Sequence, residues 1–184
     1  MRKPTTGIGL VALLTVLLAA CSPVPPNPRA VLEDKASTID SAAQDLLEAL
    51  DAAGLPGGTA RGRIDGCQSQ PAPGVAYRAG ISVPVGDDLA GGFDALVEQL
   101  RASGWQPTNA YDGVEIDPAK PMGRFGRGDV TLDVKTGGFK TGTEEHGADG
   151  MVLGITTSHD CVRIHDGESF LDFEDMEKDI PPRA

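Results

Sequence analysis

The chain has 184 residues, a mass of 19.1 kDa, a formal net charge of −11 and a pI near 4.6. That length fits one domain and can bury a real core. The acidic balance argues against nucleic acid as a partner, because phosphate binding needs clustered Lys and Arg. Aromatic residues make up only 4% of the chain, so the core is expected to be aliphatic.

The N-terminus reads as an export signal. Arg2 and Lys3 form a basic start, and Ile8 to Leu18 is a short apolar run. Leu18-Ala19-Ala20-Cys21 follows. A basic start, a short apolar run and small residues before a cut site describe a secretory signal peptide. The run is too short for a spanning helix. Its last four residues resemble the lipobox of bacterial lipoproteins. The resemblance implies that the Cys21 thiol is diacylglycerylated and that residues 1–20 are removed. Removal takes Arg2 and Lys3 from the net −11 and leaves 164 residues at −13. Anionic headgroups repel so acidic a body, so attachment would rest on the acyl chains, and two chains suffice where one is marginal. Residues 21–28 would form the lipidated Cys and a Pro-rich, extended tether, at about 3.1 Å per residue.

Residues 29–165 are expected to form a single α+β domain. The first helix is expected over about 28–53. Asn27 is a good N-cap and Pro28 suits the first helical position. Leu32, Ala36, Ile39, Ala43, Leu46, Leu47 and Leu50 recur at three- and four-residue spacing. Gly54 then Leu55 matches a Schellman ending, with Leu55 folding back on Leu50. Thr59 to Gln68 reads as a weaker strand carrying Cys67. Val75, Tyr77, Ala79, Ile81, Val83 and Val85 alternate as a strand does, and Pro84 pushes that strand to an edge or ends it.

Asp87 and Asp88 open the second helix, where the helix dipole favours negative charge. Leu89, Phe93, Leu96, Val97 and Leu100 form its buried face, and this helix is expected to be the better packed of the two. Gly104 ends it, with Trp105 folding back as a core anchor. Val114 and Ile116 suggest a short strand. Val130, Leu132 and Val134 form another, as do Met151, Leu153 and Ile155, with Cys161, Val162 and Ile164 extending the last past a bend. Residues 136–150 are Gly-rich and read as a mobile or functional loop. Residues 166–184 read as an acidic C-terminal tail, either solvated or docking on a basic partner. The order α-β-β-α-β-β-β favours an antiparallel sheet of about 4–5 strands with two helices on one face, a two-layer α+β sandwich.

Beyond Cys21, the chain has Cys67 and Cys161. In an exported protein two cysteines point to one disulfide, here closing a loop of about 95 residues. The alternatives are a reactive thiol or a metal site, and the absence of a CxxC argues against zinc.

The remaining candidates for chemistry each have a plainer reading beside them. Ser158, His159 and Asp160 are consecutive, whereas a catalytic triad needs members converging from separate positions. His159, Asp160, His165, Asp166 and Glu168 form one metal-like cluster, but the two imidazoles stand about 20 Å apart along an extended strand. Glu144, Glu145, His146 and Asp149 form another, in a loop that lacks a supporting shell. Both read as solvated polar surface. Gly123 to Asp129 (GRFGRGD) offers Arg124 and Arg127 as an anion site, or a polar hairpin whose glycines serve the turn. Its RGD tripeptide is too short to specify a receptor. No catalytic, cofactor or metal residue is assigned, and no enzymatic role is expected.

The lipobox Leu18 to Cys21, the tether, the helix ending in Gly104-Trp105 and the late strand Met151 to Cys161 together resemble small actinobacterial cell-envelope lipoproteins. The resemblance implies a location, lipid-anchored on the outer face of the cell membrane, and a build, but no reaction. The leading expectation is a binding or accessory module for an envelope protein. The alternative is a carrier of a small apolar ligand held between sheet and helices, near Phe93 and Val97.

Overall fold

The computed structural model describes residues 24–68, 73–137, 139–141, 144–146 and 149–183, with backbone alone at 68, 139–141 and 144–146. The expected signal peptide and Cys21 lie outside the described residues. Among the described residues no helix is long and apolar enough to cross a membrane.

Helix α1 runs Pro28–Ala52. The Asn27 side chain accepts a hydrogen bond from the Ala30 amide at 3.1 Å, which satisfies a donor the first turn leaves open. The helix ends as its sequence indicates. Gly54 has φ +77°, a conformation that only glycine adopts freely, and the Leu55 amide donates back to the Leu50 carbonyl at 2.9 Å. The seven apolar residues spaced along α1 are all buried.

Strands β1 (Thr59–Gln68) and β2 (Gly74–Pro84) follow, then α2 (Leu89–Ala102). Pro84 closes β2, which is nonetheless a central strand. Next come β3 (Gln106–Pro107), β4 (Met122–Arg127), β5 (Val130–Thr136), β6 (Phe139–Thr141), β7 (Glu144–His146), β8 (Gly150–Thr157) and β9 (Val162–Arg163). A 3-10 helix over Phe170–Met176 and β10 (Lys178–Ile180) complete the chain.

The fold is α+β with an antiparallel sheet. The sheet has eight strands, not the expected four or five, in the order β10-β1-β2-β8-β5-β4-β3 with β9 added on β2. The excess comes from β3, β9 and β10, which are two or three residues long, and from β4, the first arm of the GRFGRGD hairpin. Segments that short carry no readable period. Val114 and Ile116 form no strand: Val114 is exposed and closes a turn through its amide's bond to the Tyr111 carbonyl, and Ile116 lies in irregular chain beyond it. Within residues 136–150, the backbones of β6 and β7 pair as a separate hairpin rather than an open loop.

The acidic C-terminal segment also differs from the solvated tail expected. It packs into the domain. Phe173 and Ile180 are buried, and β10 pairs with β1 from Ala60↔Ile180 to Gly62↔Lys178. Two apolar side chains placed among the acids are enough to anchor it.

The helices share one face of the sheet. α1 lies over β2, β1 and β8, α2 packs beside α1 and touches β8, and the 3-10 helix covers β1. α1 is the better packed helix, the reverse of the sequence expectation. It buries ten residues, while α2 fully buries only Leu96 and Leu100. The reason is position: α1 sits over the middle of the sheet and α2 along its flank. Trp105 is buried behind α2, its amide bonded to the Leu100 carbonyl at 2.9 Å. Cys67 and Cys161 form the disulfide, with Cα atoms 5.7 Å apart.

Candidate functional site: the uncovered face of the sheet

An antiparallel sheet can bury one face and leave the other to solvent. Here β5 buries Val130, Leu132, Val134 and Thr136, and β8 buries Met151, Leu153, Ile155 and Thr157. Thr131, Asp133, Lys135, Val152, Gly154 and Thr156 alternate with them on the opposite face. On β2 the same face carries Arg78, Gly80 and Ser82, and on β1 it carries Arg61, Arg63 and Asp65.

Register places Gly80 directly opposite Gly154 at the centre of this face. With no side chains there, the backbone forms a shallow floor two strands wide. Arg61 faces Gly80 from one side and Asp133 faces Gly154 from the other. The Nη2 atom of Arg63 lies 3.7 Å from where a β-carbon on Gly80 would stand. Arg63, exposed, forms no ion pair among the described residues.

The rim is held by ion pairs. The Arg78 Nε and Nη2 atoms donate to Asp160 Oδ2 at 3.0 and 2.8 Å. Asp160 is the neighbour of Cys161, so the disulfide pins the turn that presents this carboxylate. His159 in the same turn has φ +53°, unusual for a residue with a β-carbon. On the other flank Arg124 grips both oxygens of Asp133, at 2.7 and 2.9 Å. Tyr111, from the segment joining β3 and β4, donates to Asp133 at 3.0 Å. That hydrogen bond from Arg124 to Asp133 raises the Arg124 pKa above its ordinary value. Burial, then the bond to Asp133, pushes the Tyr111 phenol up, so it stays a proton donor.

The charge balance of this face opposes that of the molecule. Its strands carry six cations, Arg61, Arg63, Arg78, Arg124, Lys135 and Arg163, against Asp65, Asp133 and Asp179, and Asp160 and Glu177 add two acids where they pair with Arg78 and Arg61. That leaves a surplus of one positive charge, gathered at Arg61 and Arg63, on a chain whose net charge is −11.

The residues singled out in the sequence scatter. Ser158 Oγ donates to the Asp129 carbonyl at 3.1 Å and Asp160 is held by Arg78, so the consecutive Ser-His-Asp forms no relay. His165 and Glu168 meet through backbone groups of His165: its amide donates to Glu168 Oε2 at 2.7 Å and its carbonyl accepts from the Glu168 amide at 3.0 Å. No three His, Cys, Asp or Glu side chains converge as metal ligands among the described residues. The side chains of Glu144, Glu145 and His146 lie outside the described residues. GRFGRGD is the β4–β5 hairpin, turning at Gly128. Its arginines diverge: Arg124 lies on the uncovered face, while Arg127 turns to the helix layer, pairing with Asp45 with its guanidinium 4.8 Å from the Trp105 ring centroid. They form no joint anion site.

The sequence reading missed this face because its signal is register, not motif. Gly80 and Gly154 are 74 positions apart and only strand pairing brings them together. Shallow surface cavities lie along the C-terminal segment. One, of about 530 Å³, runs between Asp40 and Gln44 of α1 and Asp175 to Lys178. Compared with known families, curated proteins and solved structures, the chain matches none.

Proposed function

We propose that the chain is a membrane-anchored extracytoplasmic lipoprotein of the actinobacterial envelope type, carrying a diacyl group on Cys21. It acts there as a binding or accessory module for an envelope protein. The observation that supports this reading is the wide sheet face left uncovered by three helices packed on the other side. A face of fixed shape, edged by ion pairs and stapled by the disulfide, loses little conformational freedom on binding. Arg78 and Arg124 on this face are held in place by Asp160 and Asp133. The sheet-to-helix layer favours a protein partner over an apolar ligand: the Phe93 ring reaches within 3.2 Å of a β-carbon position on Gly123, filling the space near α2 where such a ligand would sit.

Site-specific photo-crosslinking in intact cells tests the reading. A crosslinker at Ser82 or Thr156 samples the uncovered face, and one at Ser103 samples the end of α2. The expected result is a discrete, reproducible protein adduct from the first two positions and none from the third. Equal adducts from all three, or none, would overturn the reading. A bound small molecule found by native mass spectrometry of the released domain would support the carrier instead.

A further inference from the structure

The uncovered face differs in sign from the rest of the molecule, and that difference selects the chemistry of what it meets. An acidic body repels acidic partners everywhere except where cations are gathered. The cations here are mostly arginines, whose planar fork matches carboxylates in pairs. Those flanking the Gly80–Gly154 floor are not equally committed. Arg78 is held by Asp160, and Arg124 by Asp133. Arg61 has only Glu177, at 3.7 Å, and Arg63 has no ion-pair partner among the described residues. Both are exposed strand residues two positions apart, so both point out from the same face. The floor beside them is open at Gly154, where nothing lies within 4 Å of a β-carbon position, while the Arg63 guanidinium reaches over Gly80.

We propose that this face binds a carboxylate-rich segment of the envelope partner, with Arg61 and Arg63 as the principal contacts and Gly80 and Gly154 as the floor beneath it. This rests on the reading of the chain as a protein-binding module and names the chemistry of the partner. Arg78 and Arg124 hold the rim in place. Asp133, already neutralised by Arg124, adds little repulsion.

The test uses the full chain in detergent micelles and a fluorescently labelled twelve-residue polyglutamate peptide, read by anisotropy. The Arg61→Glu/Arg63→Glu double variant is compared with Arg101→Glu, a reversal of sign at one exposed position of α2. The expected result is a loss of about tenfold or more per pair of reversed contacts, with Arg101→Glu within about twofold of the parent. Affinity should also fall as salt rises. Equal binding by all three proteins, or no binding by the parent, overturns the proposal. So does Arg61- and Arg63-dependent adsorption to phosphatidylglycerol vesicles without peptide binding, which would assign the face to lipid headgroups. Self-association abolished by the double variant would place a second copy there and also overturn it. Near-ultraviolet circular dichroism checks that the double variant folds, and the single variant Arg63→Gln repeats the test if it does not. Absence of peptide binding by the parent, with adducts still formed at Ser82 and Thr156, would reject the acidic segment and leave the module reading standing. Absence of both in the parent would reject the two together.

Discussion

The Tyr77 ring lies across Gly62, its hydroxyl 1.7 Å from where a β-carbon on Gly62 would stand. Gly62 therefore has to be glycine for Tyr77 to reach α1. There the hydroxyl donates to Asp40 Oδ1 at 2.7 Å, and Lys178 of β10 approaches the other oxygen of the same carboxylate at 2.6 Å. One carboxylate thus ties together the central strand, the first helix and the C-terminal strand. Burial, reinforced by the bond to Asp40, drives the Tyr77 pKa far up, so the phenol remains the donor at any physiological pH.

Gly62→Ala is expected to destabilise the domain by roughly 1–3 kcal/mol or more, because the ring must leave its place. Tyr77→Phe keeps the ring and loses only the bond to Asp40, at a cost of about 2 kcal/mol. Urea denaturation of the two variants checks the order. A Gly62→Ala protein as stable as the parent would show that the ring does not occupy this position.

Phe173 is the anchor of the C-terminal segment. It is buried, and the Arg29 guanidinium stands 5.3 Å from its ring centroid. Phe173→Ala is expected to cost about 3–5 kcal/mol. The exposed Leu171→Ala, two residues away, is expected to change stability by no more than about 0.5 kcal/mol. Limited proteolysis should then cut the Phe173 variant within 166–183 well before the parent. Equal cutting would mean that the segment is not held by this side chain.

Asp45 accepts from both Arg127 and Arg183. Partial burial works against its charge, but these two hydrogen bonds prevail and hold its pKa below the usual carboxylate value. A lowered folded-state pKa gives stability that is full above the unfolded value and is lost as pH falls through the folded one. The expected loss on acidification below about pH 4 should therefore be smaller in Asp45→Asn, which is also less stable at neutral pH by about 1–2 kcal/mol. Thermal melts from pH 7 to pH 2 check both. Parallel acid limbs in the two proteins would show that Asp45 does not contribute to the dependence.

The Cys67–Cys161 bridge spans 94 positions. Chain entropy assigns it about 4–5 kcal/mol as an upper figure. Cys67→Ser/Cys161→Ser should lose stability up to that amount, with the loss matched by adding reductant to the parent. Thiol reagent should find neither cysteine free in denatured, unreduced protein; two equivalents of reaction would refute the bridge in the cell-derived protein.

Cys21→Ala should leave the precursor uncut or release the protein from membranes. Fractionation with immunoblotting reads both. An unchanged size and unchanged membrane retention would remove the lipid anchor from the proposal.

Long periodic elements were legible in the residues because their burial pattern repeats locally. The seven apolar positions of α1 and the alternation in β2, β5 and β8 each mark one buried face, and each is buried as spaced. The glycine-ended caps were legible too, since Gly54 and Gly104 with Leu55 and Trp105 form motifs of a few residues. The pairing of the cysteines followed from there being two of them beyond Cys21.

Strands of two or three residues were not legible, because so short a segment has no period and exists only through the neighbour it pairs with. β10 is the sharpest case: a run of acids reads as solvated until Ile180 and Phe173 find a sheet edge and a helix end to bury against. The relative packing of α1 and α2 was misjudged for a similar reason, since the apolar stripe of a helix says how much it can bury but not where on the sheet it will lie. The uncovered face was invisible for the same cause. Local sequence determines which side of each strand is apolar. Only tertiary structure decides which strands become neighbours, and so that Gly80 meets Gly154 with Arg61 and Arg63 beside them, because register is a relation between segments distant along the chain.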